Sequence, residues 1–177
     1  MEIKKDFIKE NAINRPMTKN SCAFITVHET ANSKKGADAA AHASYVKSLN
    51  ERTSWHYTVD DNVIFQHLPD EEKSYHTSSK NANESSIAIE LCVNSDGDFE
   101  KTKGNAVWLI RELMRKHDIP QENIRTHRDW TGKNCPANLL KNGWVEFIKK
   151  CASEDAHEKR YISVSELIKL GYSGIEF

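Results

Sequence analysis

Two short apolar runs set the frame within which this chain can fold. Residues 22–28, Cys-Ala-Phe-Ile-Thr-Val-His, and residues 86–93, Ser-Ile-Ala-Ile-Glu-Leu-Cys-Val, are rich in apolar and β-branched side chains and bounded by polar or turn-forming segments, so each reads as a buried strand. Residues 55–59 and 63–67, split by Asp60-Asp61-Asn62, read as the two strands of a hairpin. Residues 68–84 are polar and irregular, and Asn94-Ser-Asp-Gly97 supplies turn chemistry after the second run. Helical spacing occupies the intervals. The Ala-rich stretch 37–49 places Ala41, Tyr45 and Leu49 four apart on one face. Residues 105–118 carry apolar side chains at 106, 109, 110, 113 and 114, and Pro120 stops the pattern. Residues 124–127 form a short extended run, and residues 139–151 predict a final core helix that carries Trp144 and Phe147 and tolerates Gly143. Strands separated by helices predict an α/β fold with a central, mostly mixed β-sheet flanked by helices.

With 177 residues the chain has room for one domain with a proper core and a short appendage. After Cys151 the composition shifts to SEDAHEKR, and Ser163-Val-Ser-Glu166 is a capping-box pattern for a short helix ending at Gly171. The expected division is a catalytic domain over residues 1–152, then a linker and short helix over 153–177, as a remnant or the start of a further module. A formal net charge of −1 supplies no general attraction to nucleic acid or anionic membrane, so neither is an expected partner. No apolar run is long enough to cross a bilayer, and the opening MEIKKDFIKE lacks the apolar core of a signal peptide. The expectation is synthesis in the cytoplasm with action elsewhere only after release. Cys22, Cys92, Cys135 and Cys151 show no CxxC pairing and are expected to be reduced.

A catalytic zinc needs three nitrogen, sulfur or oxygen ligands and an open fourth position. His28 closes one buried strand, His127 closes another extended run, and Cys135 follows eight residues later in Gly-Lys-Asn-Cys-Pro136. Strand ends are where α/β sheets gather functional groups. Spacing alone is a weak signal for this set, since no compact motif such as HExxH is present. Other histidines read differently: His42 lies on the Ala-rich helix, His117 ends a helix where its charge suits the dipole, and His157 sits in the polar tail.

Five segments, ITVHETAN at 25–32, SWHYTVDD at 54–61, SIAIELCVN at 86–94, THRDW at 126–130 and GKNCP at 132–136, occur in the order and rough separations of the type 2 N-acetylmuramoyl-L-alanine amidases. Over roughly residues 3–150 the chain resembles phage and prophage endolysins and cell-wall amidases of that family, and more distantly the peptidoglycan recognition proteins. The resemblance implies their fold, a zinc ion held by His28, His127 and Cys135, and hydrolysis of the amide between N-acetylmuramic acid and L-alanine of peptidoglycan. Many endolysin-type relatives carry Asp where this chain has Cys135; either holds zinc, the thiolate donating more charge.

The resemblance further implies Glu90 as the general acid/base and Lys133 as a cation that stabilises charge on the scissile carbonyl. A solvated loop lysine is the plain alternative for Lys133. Trp55 stands where some relatives that lack the glutamate use a tyrosine, which places the chain in the glutamate subgroup. His76 matches a groove histidine, and Asn32, His56 and Tyr57 are further substrate-groove candidates, with a structural role equally open to His56. Two other readings stand beside the endolysin one: a cytoplasmic recycler of soluble muropeptides, and a non-catalytic peptidoglycan-binding protein, which in this fold lacks zinc ligands.

Overall fold

The computed structural model describes residues 1–152; the linker and capped helix expected beyond them lie outside the described residues. Its centre is a six-stranded sheet formed by β1 (Ile3–Lys5), β2 (Phe24–Glu29), β3 (Tyr57–Val59), β4 (Ile64–Gln66), β5 (Ser86–Leu91) and β6 (Ile124–Thr126), in the spatial order β1-β4-β3-β5-β2-β6. Only the β3–β4 hairpin pairs antiparallel; β1–β4, β3–β5, β5–β2 and β2–β6 are parallel. The sheet is mixed, as the alternation of strands and helices predicts.

Between the strands run α1 (Ala39–Ser48), α2 (Lys80–Ser85) and α3 (Phe99–His117), followed by α4 (His127–Thr131), α5 (Ala137–Lys141) and α6 (Trp144–Ala152). Each of the first three starts on a side-chain cap: Asp38 accepts from Ala41 N–H, Ser79 from Ala82 N–H, and Asp98 from Glu100 and Lys101 N–H. α3 therefore begins at Phe99, after the Asp98 cap and six residues before the stretch expected from residue 105, and Asp118 ends it in the left-handed conformation. The single helix expected at 139–151 is two. Gly143 has φ +126, a conformation closed to residues with a Cβ, and it turns the chain between α5 and α6.

Because parallel and antiparallel partners in register share a face, the strand residues sort into two sets. On one face Ile25 and Val27 of β2, Tyr57 and Val59 of β3 and Ile87, Ile89 and Leu91 of β5 are buried in a continuous core with Ala106, Leu109, Ile110 and Leu113 of α3 and Phe147 and Cys151 of α6. At about 1.5–3 kcal/mol for each large aliphatic side chain removed from water, this layer dominates the favourable side of folding. The other face carries Thr26, His28, Thr58, Ser86, Ala88 and Glu90. It is covered by α1, whose Val46 packs with Trp55, Leu68, Ala88 and Ile8 in a smaller cluster. α1 turns Ala39, His42, Ala43 and Val46 inward, so the Ala41–Tyr45 side of the helix is not its core face; Tyr45 is exposed.

Candidate metal centre

His28 is the penultimate residue of β2, and Glu90 stands directly across from it on β5. β6 ends at Thr126, and His127 is the first residue of α4 rather than the last of an extended run. A capping box fixes that transition: Asp129 N–H donates to Thr126 Oγ1 at 3.1 Å, and Thr126 N–H donates to Asp129 Oδ2 at 2.7 Å. The Trp130 indole N–H donates to Thr26 Oγ1 at 2.9 Å and ties α4 to β2.

Cys135 lies in the loop after α4, joined to Pro136 by a cis peptide bond. Its neighbour α5 is held by Glu29, the residue next to His28. The Glu29 carboxylate accepts from Asn138 N–H, Asn138 Nδ2 and Leu139 N–H, each at 2.9 Å. One strand end thus supplies the first imidazole and anchors the start of the helix that follows the thiol. The sequence gives no warning of this use of Glu29 beyond a charged residue closing a buried strand.

The three side chains converge. His28 Nδ1 lies 3.1 Å from His127 Nδ1 and 3.8 Å from Cys135 Sγ, and one donor atom from each residue falls within 4.8 Å of the others. All three are buried. Two imidazole nitrogens and one sulfur at this spacing fit a tetrahedral zinc with one position left over. Desolvation pushes His28 well below the ordinary histidine range and lowers His127, which keeps both rings in the neutral form that ligates. Burial pushes the Cys135 thiol up to about 11 even with Lys133 opposing the rise, so the thiolate form calls for a metal cation at the sulfur itself.

Glu90 Oε1 is 4.0 Å from His28 Nδ1, while Glu90 Oε2 is buried with no hydrogen-bond partner. Burial is the main reason its carboxyl is raised to about 8, with Lys133 opposing the rise and Glu29 adding to it. A buried carboxylate oxygen without a donor costs on the order of 1–3 kcal/mol or more, and the carboxyl group that bears it stands beside the His28 ring through its other oxygen. The cavity beside it, about 380 Å³, is lined by Thr30, Asn32, Ala41, His42, Tyr45, Trp55 and Glu90. Trp55 is held there by its indole N–H, which donates to Thr58 Oγ1 at 2.7 Å.

Asn32, Trp55 and Glu90 therefore share one cavity, and exposed Lys133 sits close enough to His28, His127 and Glu90 for its charge to weigh on all three. Three groove candidates lie elsewhere. The His56 ring is fully buried; its Nδ1 accepts from Ala88 N–H at 2.9 Å and its Nε2 meets Glu72 O at 2.8 Å, so it laces β5 to the loop after β4. Tyr57 points into the α3 face and donates its hydroxyl to Asp70 Oδ1 at 2.5 Å, because in the register of β3 its side belongs to the apolar core. His76 sits behind His28, with Nδ1 2.9 Å from His28 Nε2 and Nε2 3.2 Å from Ala82 O, which leaves neither nitrogen for a groove ligand. Conversely, His42 and Tyr45, which the sequence reads only as residues of the Ala-rich helix, line the cavity. His42 lies three residues after Ala39 and four before Val46, a helical spacing that marks the inward side of α1.

A family model described as N-acetylmuramoyl-L-alanine amidase matches residues 18–138. The chain is 47% identical over 175 residues to the N-acetylmuramoyl-L-alanine amidase CwlH of Bacillus subtilis, covering 95% of this chain and 70% of that protein. To the N-acetylmuramoyl-L-alanine amidase XlyA of the same organism it is 49% identical over 149 residues, covering 83% of this chain and 50% of XlyA. The solved catalytic domain of XlyA superimposes with a TM-score of 0.82 at 48% identity, covering 85% of this chain and 99% of that domain. PlyL superimposes with a TM-score of 0.79 at 34% identity, covering 86% of this chain and 98% of that structure.

Proposed function

Since the chain belongs to the N-acetylmuramoyl-L-alanine amidase family, we propose that it is a zinc-dependent peptidoglycan hydrolase that cuts the amide between N-acetylmuramic acid and the L-alanine of the stem peptide, in lysis of the endolysin type. The observation that carries the reading is the convergence of His28, His127 and Cys135 beside the buried, unpartnered oxygen of Glu90. Residues 1–152 form the catalytic unit in this reading. Among them no helix is long and apolar enough to cross a membrane.

His28, His127 and Cys135 would hold the zinc through two imidazole nitrogens and a thiolate. When bound, the ion supplies a Lewis acid for the scissile carbonyl and lowers the pKa of water. Glu90 takes a proton from the attacking water on its free carboxylate oxygen and returns it to the departing L-alanine nitrogen. Lys133 contributes positive charge as the carbonyl oxygen becomes negative, in keeping with the reach of its charge to Glu90 and both histidines. The cavity with Trp55 and Tyr45 against Asn32, Thr30 and His42 offers apolar faces and hydrogen-bonding groups together, which suits a glycopeptide. Wall binding and release of the protein to reach the wall belong to the same reading.

Mass spectrometry of purified sacculi after digestion tests it. The expected products are stem peptides with a free L-alanine amine and glycan strands with unsubstituted lactyl groups. Cleavage within the glycan or inside the stem overturns the bond assignment; stoichiometric zinc with no cleavage favours the binding protein. Turnover of soluble muropeptides with intact sacculi untouched favours a recycling enzyme.

A further inference from the structure

We infer that His76 is a positioning residue that sets which nitrogen of His28 faces the metal centre; this rests on the zinc-site reading above and goes beyond it. A carbonyl oxygen only accepts, so the His76 Nε2 that lies 3.2 Å from Ala82 O must carry a hydrogen. Ser86 Oγ, at 3.3 Å from the same nitrogen, serves as a second acceptor for it. In a neutral ring the other nitrogen, Nδ1, is then an acceptor. It lies 2.9 Å from His28 Nε2, which must therefore be the donor. His28, buried and neutral, has one ring hydrogen only; placing it on Nε2 leaves the Nδ1 lone pair bare. That is the nitrogen facing His127 Nδ1 and Cys135 Sγ.

The relay is itself anchored. Ala82 O is held at the junction of α2 and β5, where Ser86 N–H also donates to it. Ser86 Oγ is 2.6 Å from Thr26 Oγ1, and Thr26 Oγ1 accepts from the Trp130 indole of the helix that begins with His127. Asn83 Oδ1 accepts from His76 N–H at 3.1 Å and from Thr77 N–H at 3.0 Å, which fixes the backbone that presents the ring. The ring of His76 meets that of His28 edge-on, with planes at 89°. Partners of this kind behind a ligating imidazole fix its tautomer and orientation, and their loss weakens metal binding by about 10- to 100-fold.

The test measures two quantities on folded protein. Long-range nitrogen–proton NMR on the metal-free protein reads the His28 tautomer directly, and chelator competition reads the zinc dissociation constant. Wild type should show hydrogen on His28 Nε2. His76→Phe removes the acceptor while filling the space, and should give mixed tautomers and zinc affinity about 10- to 100-fold weaker. His76→Asn keeps an acceptor oxygen at the place of Nδ1 and should rescue the Nε2–H tautomer and most of the affinity. Hydrogen on His28 Nδ1 in wild type overturns the inference, whether or not the variants fold. So does His76→Phe with unchanged tautomer and affinity within about threefold of wild type. Absence of zinc binding by wild type sinks the metal reading instead, and the tautomer readout still judges the role of His76.

Discussion

The two faces of the sheet are built from the same strands and obey opposite rules. Toward α3 every strand residue of the central core is apolar or, as with Tyr57, has its polar end tied to a partner. Toward α1 the alternate residues of β2, β3 and β5 are Thr26, His28, Thr58, Ser86 and Glu90, with Phe24 and Ala88 the apolar exceptions. The polar face collects desolvation costs: a histidine pushed well below its ordinary range, a carboxyl raised to about 8 and a buried oxygen without a donor. A layer that supplies stability without chemistry backs a layer arranged for chemistry at some expense of stability.

Removing the metal should break the comparison most sharply. Chelation, or Cys135→Ala, should take amide cleavage to background and lower the melting temperature, because zinc bound only to the folded state stabilises it by mass action; added zinc should restore the chelated wild type and not the variant. Calorimetry with and without chelator, beside a cell-wall turbidity assay, checks this. Next in size, Glu90→Gln should lower kcat by about 10²–10⁴-fold while leaving thermal stability unchanged or raised, since it removes a buried ionisable group that has no partner on Oε2. Loss of stability in step with loss of rate would refute the division of labour between the faces.

The reverse pattern is expected one residue away. Ile89→Ala, on the α3 face beside Glu90, should cost about 2–5 kcal/mol in urea unfolding with kcat per folded molecule close to wild type. The smallest effect concerns Asp70, which closes the α3 face by accepting from Tyr57, Lys116 and His117. Burial pushes its carboxyl up, but hydrogen bonds from Lys116, Tyr57 and His117 outweigh that and hold it below the usual range. A depressed folded value means the contribution is present above the unfolded carboxylate pKa of about 4 and is lost as pH falls through the lower folded value. Asp70→Asn should therefore be less stable than wild type at pH 7, with the gap closing in denaturation curves taken from pH 5 downward.

Several elements were legible in the residues for definite reasons. The runs at 22–28 and 86–93 became β2 and β5 because short, β-branched apolar segments bounded by turns have no other economical burial, and the hairpin followed from Asp60-Asp61-Asn62 between two strand patterns. What was not legible depended on partners distant in sequence. β1, Ile-Lys-Lys, is an edge strand that exists only because β4 offers it a ladder. The break at Gly143 is invisible to helical periodicity, since the apolar spacing continues across it. His56, Tyr57 and His76 share the sequence neighbourhood of groove residues, yet strand register and the loop after β4 send them elsewhere.

From the residues alone came the strand alternation, hence the existence of one apolar and one polar face, and the chemical kinds of group able to hold a metal. The tertiary structure alone decided that imidazoles 99 positions apart and a thiol 107 positions from the first would meet, because parallel strand pairing places the ends of β2, β5 and β6 side by side. It also decided, through acceptors supplied by α2 and the loop before it, which atom of His28 looks toward its partners. Hydrogen bonds are directional and local in space rather than in sequence, so no reading of spacing could have assigned them.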